Sequence, residues 1–294
     1  MNSYKRDKVG RLIDKGAKIP SPESVFISQE VNLDRIAGDG VTIYPGCRIL
    51  GGKTLVLPGV RLGEEAPVTL DDCLLGPQVA LKGGFFSRSC FLKGAAMGSG
   101  AQVREGCLME EQASGAHGVG LKHTILFPYV TLGSLINFCD CFMAGGTSRK
   151  NHSEVGSSYI HFNYTANQDK ATASLIGDVP QGVMLDQLPI FLGGQGGMVG
   201  PLRIAYGTVV GAGVICRRDV SEKGKLILAQ GAIDGKNTPV RRVMDFSPGV
   251  YCQIRQKVLN NVAYLANLVA LQHWYEKVRS LFFVEDMEMR LFEG

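Results

Sequence analysis

MGSGAQVREGCLMEEQASGAHGVGLKHTILF, residues 97–127, repeats itself every six residues. Met97, Val103, Met109, Gly115, Leu121 and Phe127 fall on one phase, with a single glycine among them. Shorter runs carry the same step elsewhere: Leu75 and Leu81, Phe86 and Leu92, then Met198, Ile204, Val210 and Cys216. Four residues after many of these anchors comes a small side chain, as in Cys47 after Ile43, Cys90 after Phe86, Ala96 after Leu92, Ala101 after Met97, Cys107 after Val103 and Ala113 after Met109. A unit made of one short strand and one corner accounts for both features. The large residue fills an interior and the small one fits beside it near the bend. Glycine just before the small residue, as in IYPGC (43–47) and VREGC (103–107), relaxes the corner.

The repeat excludes the competing architectures. An antiparallel sandwich gives turn signals about every 8–12 residues, and six is too short for it. A helix spaces its apolar residues by three and four, which residues 25–235 do not do while abounding in glycine, valine and proline. The expectation is a mainly β chain, a parallel β-helix of hexapeptide repeats with three faces to a triangular coil and about eleven coils in roughly 200 residues.

Both ends leave the pattern. Residues 1–22 read as an N-terminal segment with a basic amphipathic helix over 4–16, closed by Gly16, and Pro20 and Pro22 leading into the first coil. The β-helix domain then occupies 23–240, with inserted loops at about 145–156 and 163–197. Residues 250–285 turn helical again, with Ile254, Val258, Val262, Leu265, Val269, Tyr275, Val278 and Phe282 as an apolar stripe. That helix packs either on its own prism or across a neighbouring subunit.

With 45% hydrophobic residues in 294, the chain can bury a full core, and its 38 glycines imply many tight corners. The formal charge of +4 is concentrated at Lys5, Arg6, Lys8, Arg11, Lys15 and Lys18, set against Asp7 and Asp14. No aromatic residues interleave with those charges, so a nucleic-acid partner is not expected. The start has no apolar signal region and no stretch approaches about 18 uncharged apolar residues, so neither secretion nor membrane insertion is expected and the location is cytoplasmic. The eight cysteines form no CxxC pair, and Cys139 and Cys141 are too close for a zinc knuckle. They read as reduced core residues, and no metal is expected. GGQGG at 193–197 lacks the context of a phosphate-binding loop and reads as the return of a long inserted loop.

Three segments carry a resemblance to a known family. RLIDKGAKIPSPESVFIS (11–28), VREGCLMEEQASGAHGVGLKHTILFPYVTLGSLINFCD (103–140) and VGPLRIAYGTVVGAGVICRRDV (199–220), with HFNYTANQDK (161–170) between the last two, resemble the C-terminal acetyltransferase domain of the bifunctional N-acetylglucosamine-1-phosphate uridyltransferase/glucosamine-1-phosphate acetyltransferase family. The resemblance covers about two thirds of the chain. It implies a left-handed β-helix, a homotrimer with sites between subunits, and acetyl-CoA as co-substrate. The acceptor it implies is an amino-sugar phosphate or sugar nucleotide. The family's nucleotidyltransferase domain has no counterpart ahead of Arg11, so uridylyl transfer is not expected.

The resemblance also assigns residues. Arg104 and Lys122 match the family's phosphate-binding arginine and lysine, and their separation of 18 residues stacks them one coil apart. A phosphate dianion needs such fixed cations with several donors. Asn163 and Tyr164 match its Asn-Tyr pair in the sugar pocket, Lys170 a further basic residue, Asn137 the position of a site tyrosine, and Ala212 a main-chain contact to acetyl-CoA. Arg217 and Arg218 lie near enough to meet a nucleotide phosphate. The catalytic histidine of the family falls on Ser134, whose hydroxyl cannot take a proton from an amine near neutral pH. His152, in the longer segment GGTSRKNHSEVG (145–156), and His123 beside Lys122 are the replacement bases the sequence offers. Three functions therefore remain open: an acyltransferase, a catalytically silent trimer that binds sugar phosphates or sugar nucleotides, and a purely structural trimer, against which Arg104, Lys122 and the Asn163-Tyr164 pair count.

Overall fold

In the computed structural model the described residues are 3–163, 172–181, 186–229 and 254–282. They form a parallel β-solenoid of about 11 turns, flanked by an N-terminal helix α1 (Ser3–Asp14) and a C-terminal helix α2 (Ile254–Lys277). One ten-stranded sheet makes one face of the prism (face 3), running from Thr42–Ile43 to Leu226–Ile227. A sixteen-stranded sheet wraps over the other two faces, because its longest strands, Gly120–Leu126 and Asn137–Met143, turn a corner midway. His123 (φ 46) and Asp140 (φ 57) make that corner, leaving residues 120–122 and 137–139 on face 1 and 124–126 and 141–143 on face 2.

The six-residue repeat becomes columns of inward side chains stacked coil upon coil. Val103, Leu121 and Phe138 stack on face 1, Met109, Leu126 and Met143 on face 2, and Met97, Gly115 and Leu132 on face 3. All but the glycine are 2% exposed or less. The glycine gap is filled by its neighbour: a Cβ at Gly115 would stand 2.8 Å from Met97 Cε. One anchor departs from the sequence phase, since Leu126 and not Phe127 takes the inward place above Met109. The coil beginning there is seventeen residues long, and Phe127 turns to the corner, edge-on to Phe142 at 4.9 Å and 5.8 Å from Trp274.

Two excursions interrupt the prism. Residues 144–153 loop out and are clamped back by Arg149, which donates to the Gln112 carbonyl and to Thr131 Oγ1 at 3.1 Å. The second is not one loop over 163–197: the chain returns at Ser174–Ile176 to pair on face 2, then leaves again before Phe191–Leu192. A three-residue strand between two excursions has no six-residue neighbour to betray it in sequence. GGQGG is a regular coil corner, with Gln195 in the left-handed region (φ 52).

Helix α2 packs on its own prism. Face 2 invites it, because its outward column (Leu74, Cys90, Leu108, Ile125, Phe142, Leu175) is apolar as well as its inward one. The docking side of α2 is not the Ile-Val-Leu stripe, however. Ala263, Ala270, Leu271 and Trp274 face the core, with Asn260 and Asn267 buried among them. Ile254, Val258, Val262, Leu265 and Val269 point away and are more than half exposed. The asparagines win because the second excursion leaves backbone groups in need of partners: Asn267 Oδ1 accepts from Val179 N–H at 2.8 Å.

At its far end α2 meets two acidic residues. Glu110 is fully buried on face 2, accepts a hydrogen bond from the Tyr275 hydroxyl, and has no partner for Oε2 among the described residues. Burial foremost, then the charge of Glu111, pushes its carboxyl up to about 8. Glu111 pairs with Arg279, whose guanidinium lies over the Trp274 ring at 5.3 Å. Because the folded pKa lies above the ordinary 4.5, the folded state holds the proton that the unfolded chain releases. Stability must then fall as pH rises from about 4.5 to about 8 and level off above that. Glu110→Gln is expected to remove this fall, on the order of a few kcal/mol, in urea unfolding across that range.

Candidate functional site

A groove on face 1 gathers three of the residues singled out above. It has a volume of about 520 Å³ and is lined by Arg104, Lys122 and Asn137 together with Gln102, Cys139 and the corner residues Gly118 and Leu135. The ladder builds it: Val103 pairs with Leu121, so Arg104 and Lys122 follow at one level of successive coils. Asn137 sits above Gly120, whose missing side chain opens the groove floor. Lys122 Nζ is 2.8 Å from Glu105 Oε1, and Arg88 stands 3.7 Å from the same carboxylate. The hydrogen bond from Lys122 holds the Glu105 carboxyl well down, at about 2. Arg104 is exposed, so the groove presents one ready cation and one shared with Glu105.

At the groove's other end runs the corner between faces 3 and 1. Leu135 N–H donates to the His117 carbonyl, Ser158 N–H to that of Ser134, Gln195 N–H to that of Ser157, and Gly213 N–H to that of Gly194. His117, Ser134, Ser157, Gly194 and Ala212 therefore form one column, with Ala212 three coils beyond Ser134, about 14 Å along the axis. Ser134 Oγ lies 2.9 Å from His117 Nδ1. Sequence reading missed this histidine. A strict step of eighteen sets Ser134 above Ala116, and only the seventeen-residue coil, readable from Leu126 taking the anchor in place of Phe127, brings His117 beneath it.

The remaining candidates lie elsewhere in a single chain. His152 ends the first excursion at the corner between faces 2 and 3, with its Nδ1 buried and unpartnered among the described residues. His123, at the cation end, is tied through Nδ1 to Asp140 Oδ1 at 2.9 Å. Asn163 is buried; its amide donates to the carbonyls of Asp140 (3.0 Å) and Thr172 (2.7 Å), so it joins both ends of the segment that carries Tyr164 and Lys170. Those two residues lie outside the described residues. Ala212 and Gly213 are exposed, as are Arg217 and Arg218 after them. A second cavity of about 1080 Å³ lies between α2 and face 2 and holds none of the candidates. No cluster of three or more histidine, cysteine, aspartate or glutamate side chains suited to a metal occurs among the described residues. None of the described helices is long and apolar enough to cross a membrane.

The chain is similar to the bifunctional protein GlmU. It is 28% identical over 217 residues to GlmU of Thermus thermophilus, covering 74% of this chain and 42% of that protein. With GlmU of Carboxydothermus hydrogenoformans it shares 25% over 222 residues (76% of this chain, 44% of the relative), and with that of Thermotoga maritima 23% over 213 residues (72% and 42%). The chain thus spans less than half the length of these GlmU proteins, a coverage consistent with a domain like their C-terminal acetyltransferase. No family model matches it.

None of the described cysteines is in a disulfide, and Cys252 lies outside the described residues. Burial pushes the thiols of Cys90 and Cys107 up to about 12 and raises that of Cys141 as well. Cys139 and Cys90 are both half-buried, but Cys139 stands in the wall of the open groove whereas Cys90 lies against the cavity beneath α2. Among the described cysteines, iodoacetamide at neutral pH is expected to label Cys139 first in the native protein, with Cys90, Cys107 and Cys141 reacting only after unfolding, as read by peptide mass spectrometry.

Proposed function

We propose that the chain is a coenzyme A-dependent acyltransferase that moves an acetyl or similar acyl group to the amino group of a sugar phosphate or sugar nucleotide. The observation that carries this reading is the union, along one stretch of the prism, of a cationic groove with a corner leading past Ser134 to Ala212. Arg104 and Lys122 take the phosphate, with charge-assisted hydrogen bonds from side chains that a rigid ladder holds one coil apart. Asn137 supplies an amide to the sugar hydroxyls. Beyond Ser134 the edge presents mostly main chain, with Ser157, Gly194, Ala212 and Gly213 exposed or half-exposed and Ile160 and Ile215 beside them. That suits the alternating amides and methylenes of a pantetheine arm, with Arg217 and Arg218 near its nucleotide end. Acetyl-CoA supplies the activated thioester. The likeness to GlmU supports the same chemistry, and the location that goes with it is cytoplasmic.

The working unit in this reading is a homotrimer. Ile160, Phe162 and Ile215 on face 1, Phe191, Val209 and Leu226 on face 3, and the outer stripe of α2 are exposed apolar surface in the single chain. Burying such patches against threefold copies is favourable. Light scattering at micromolar concentration is expected to give a mass of three chains.

Thiol release from acetyl-CoA, assayed across a panel of amino-sugar phosphates, tests the activity. Binding of the same panel without thiol release would make the chain a silent binder instead. Arg104→Ala and Lys122→Ala are each expected to weaken sugar-phosphate binding by about 1.5–3 kcal/mol, roughly ten- to a hundredfold by calorimetry, without loss of fold. Glu105→Gln is expected to tighten binding, because it releases Lys122 from a competing carboxylate.

A further inference from the structure

Resting on the acyltransferase reading, we propose that His117 is the general base of this site and that Ser134 is the residue that positions it. The two side chains meet at 2.9 Å, Nδ1 to Oγ, on the corner that opens the groove. Gly118 and Leu135, the residues that follow them, line it. When the serine oxygen accepts a hydrogen bond from Nδ1–H, the imidazole is fixed in the tautomer whose Nε2 carries a free lone pair. Ser134 is itself held, since its backbone N–H donates to Ser157 Oγ at 3.1 Å. The hydroxyl that cannot act as a base is well suited to orient one.

Elimination points the same way. The chain has five histidines. His161 is buried in the core column, its imidazole driven down to about 4 by burial and so neutral. His273 lies on α2 beside Glu276, and His152 stands at another corner of the prism. His123 adjoins the cation end, but its Nδ1 faces Asp140 and its ring lies over Gly106 rather than in the groove. Only His117 is both exposed and next to the groove at the end away from Lys122. About 13 Å of strand separates Gly118 from Lys122, a span that a hexose phosphate and the lysine side chain cover between them.

In the step this assigns, the acceptor amine attacks the thioester carbonyl of the acyl-coenzyme A. The C–N bond forms, the C–S bond breaks, and the amine proton passes to His117 Nε2. The departing thiolate then takes that proton and leaves as the thiol, returning the imidazole to its neutral form.

The test compares the wild-type chain with His117→Asn, His117→Ala and Ser134→Ala, all at a corner on the surface where folding is checked by melting temperature. His117→Asn is expected to lower kcat by roughly 10² to 10⁴ with KM for the sugar phosphate changed by less than about threefold, the opposite of Arg104→Ala. Added imidazole is expected to restore part of the His117→Ala rate, and Ser134→Ala to lose about tenfold. A His117→Asn enzyme within about threefold of the wild-type kcat overturns the proposal and leaves the acyltransferase reading standing. If the wild type releases no thiol with any acceptor, it is the acyltransferase reading that fails. The pair is then judged by ¹⁵N spectra of histidine-labelled protein. An Nδ1-protonated His117 that loses this preference in Ser134→Ala upholds the geometry, and an Nε2-protonated ring overturns it.

Discussion

Every coil of the prism donates its backbone hydrogen bonds to the next, and that ladder forces each inward side chain to lie directly over its counterpart one coil away. Side-chain position along the whole molecule follows from this register. A coil one residue shorter does not loosen the core, because the inward column simply takes its next member from a different sequence phase, as Leu126 does above Met109. What changes is the corner, where the lost residue alters which side chains stand over one another. The same rigidity makes the corner columns useful, since a groove wall built from ladder residues is held at the strand spacing of about 4.8 Å without further support.

The six-residue step made the fold class legible, because hydrophobic burial writes its period directly into the sequence, and the failure of that step at both ends marked out the terminal helices. It also brought Arg104 and Lys122 together, their coil being eighteen residues long. His117 stayed hidden for the converse reason: its partner lies across a coil of seventeen. Asn163 was visible as part of a motif, but not the use to which its amide is put, because closing an excursion depends on where Thr172 returns. The docking side of α2 was obscured by its own composition. Its more hydrophobic stripe faces outward, while the side that packs is defined by asparagine side chains answering backbone groups that the sequence does not show to be unpaired.

Electrostatics divides the molecule along the same lines. Face 2 spends its charged groups on structure, burying Glu110 under α2 and engaging Glu111 with Arg279. Face 1 keeps its charges nearer the surface, with Arg104 exposed and the Lys122–Glu105 pair half-buried beside the groove. A buried ion pair is costly to break and serves poorly as a ligand site. Both pairs here are half-buried, Glu111–Arg279 the more so, and of the two only Lys122 opens on a groove, where the phosphate of the proposed acceptor would compete with Glu105 for it.

A site built on a ladder need not draw its base from one fixed corner position. Positions one coil apart in a column are separated by one strand spacing, and an imidazole reaches farther from the backbone than a serine hydroxyl. A base one coil away can therefore approach the same space, provided that something at the neighbouring position holds its ring. Ser134 provides that hold with a hydroxyl small enough to leave room above it and polar enough to fix Nδ1. In the proposed site the corner thus divides one task between two residues: His117 brings the lone pair, and Ser134 sets the direction in which it points.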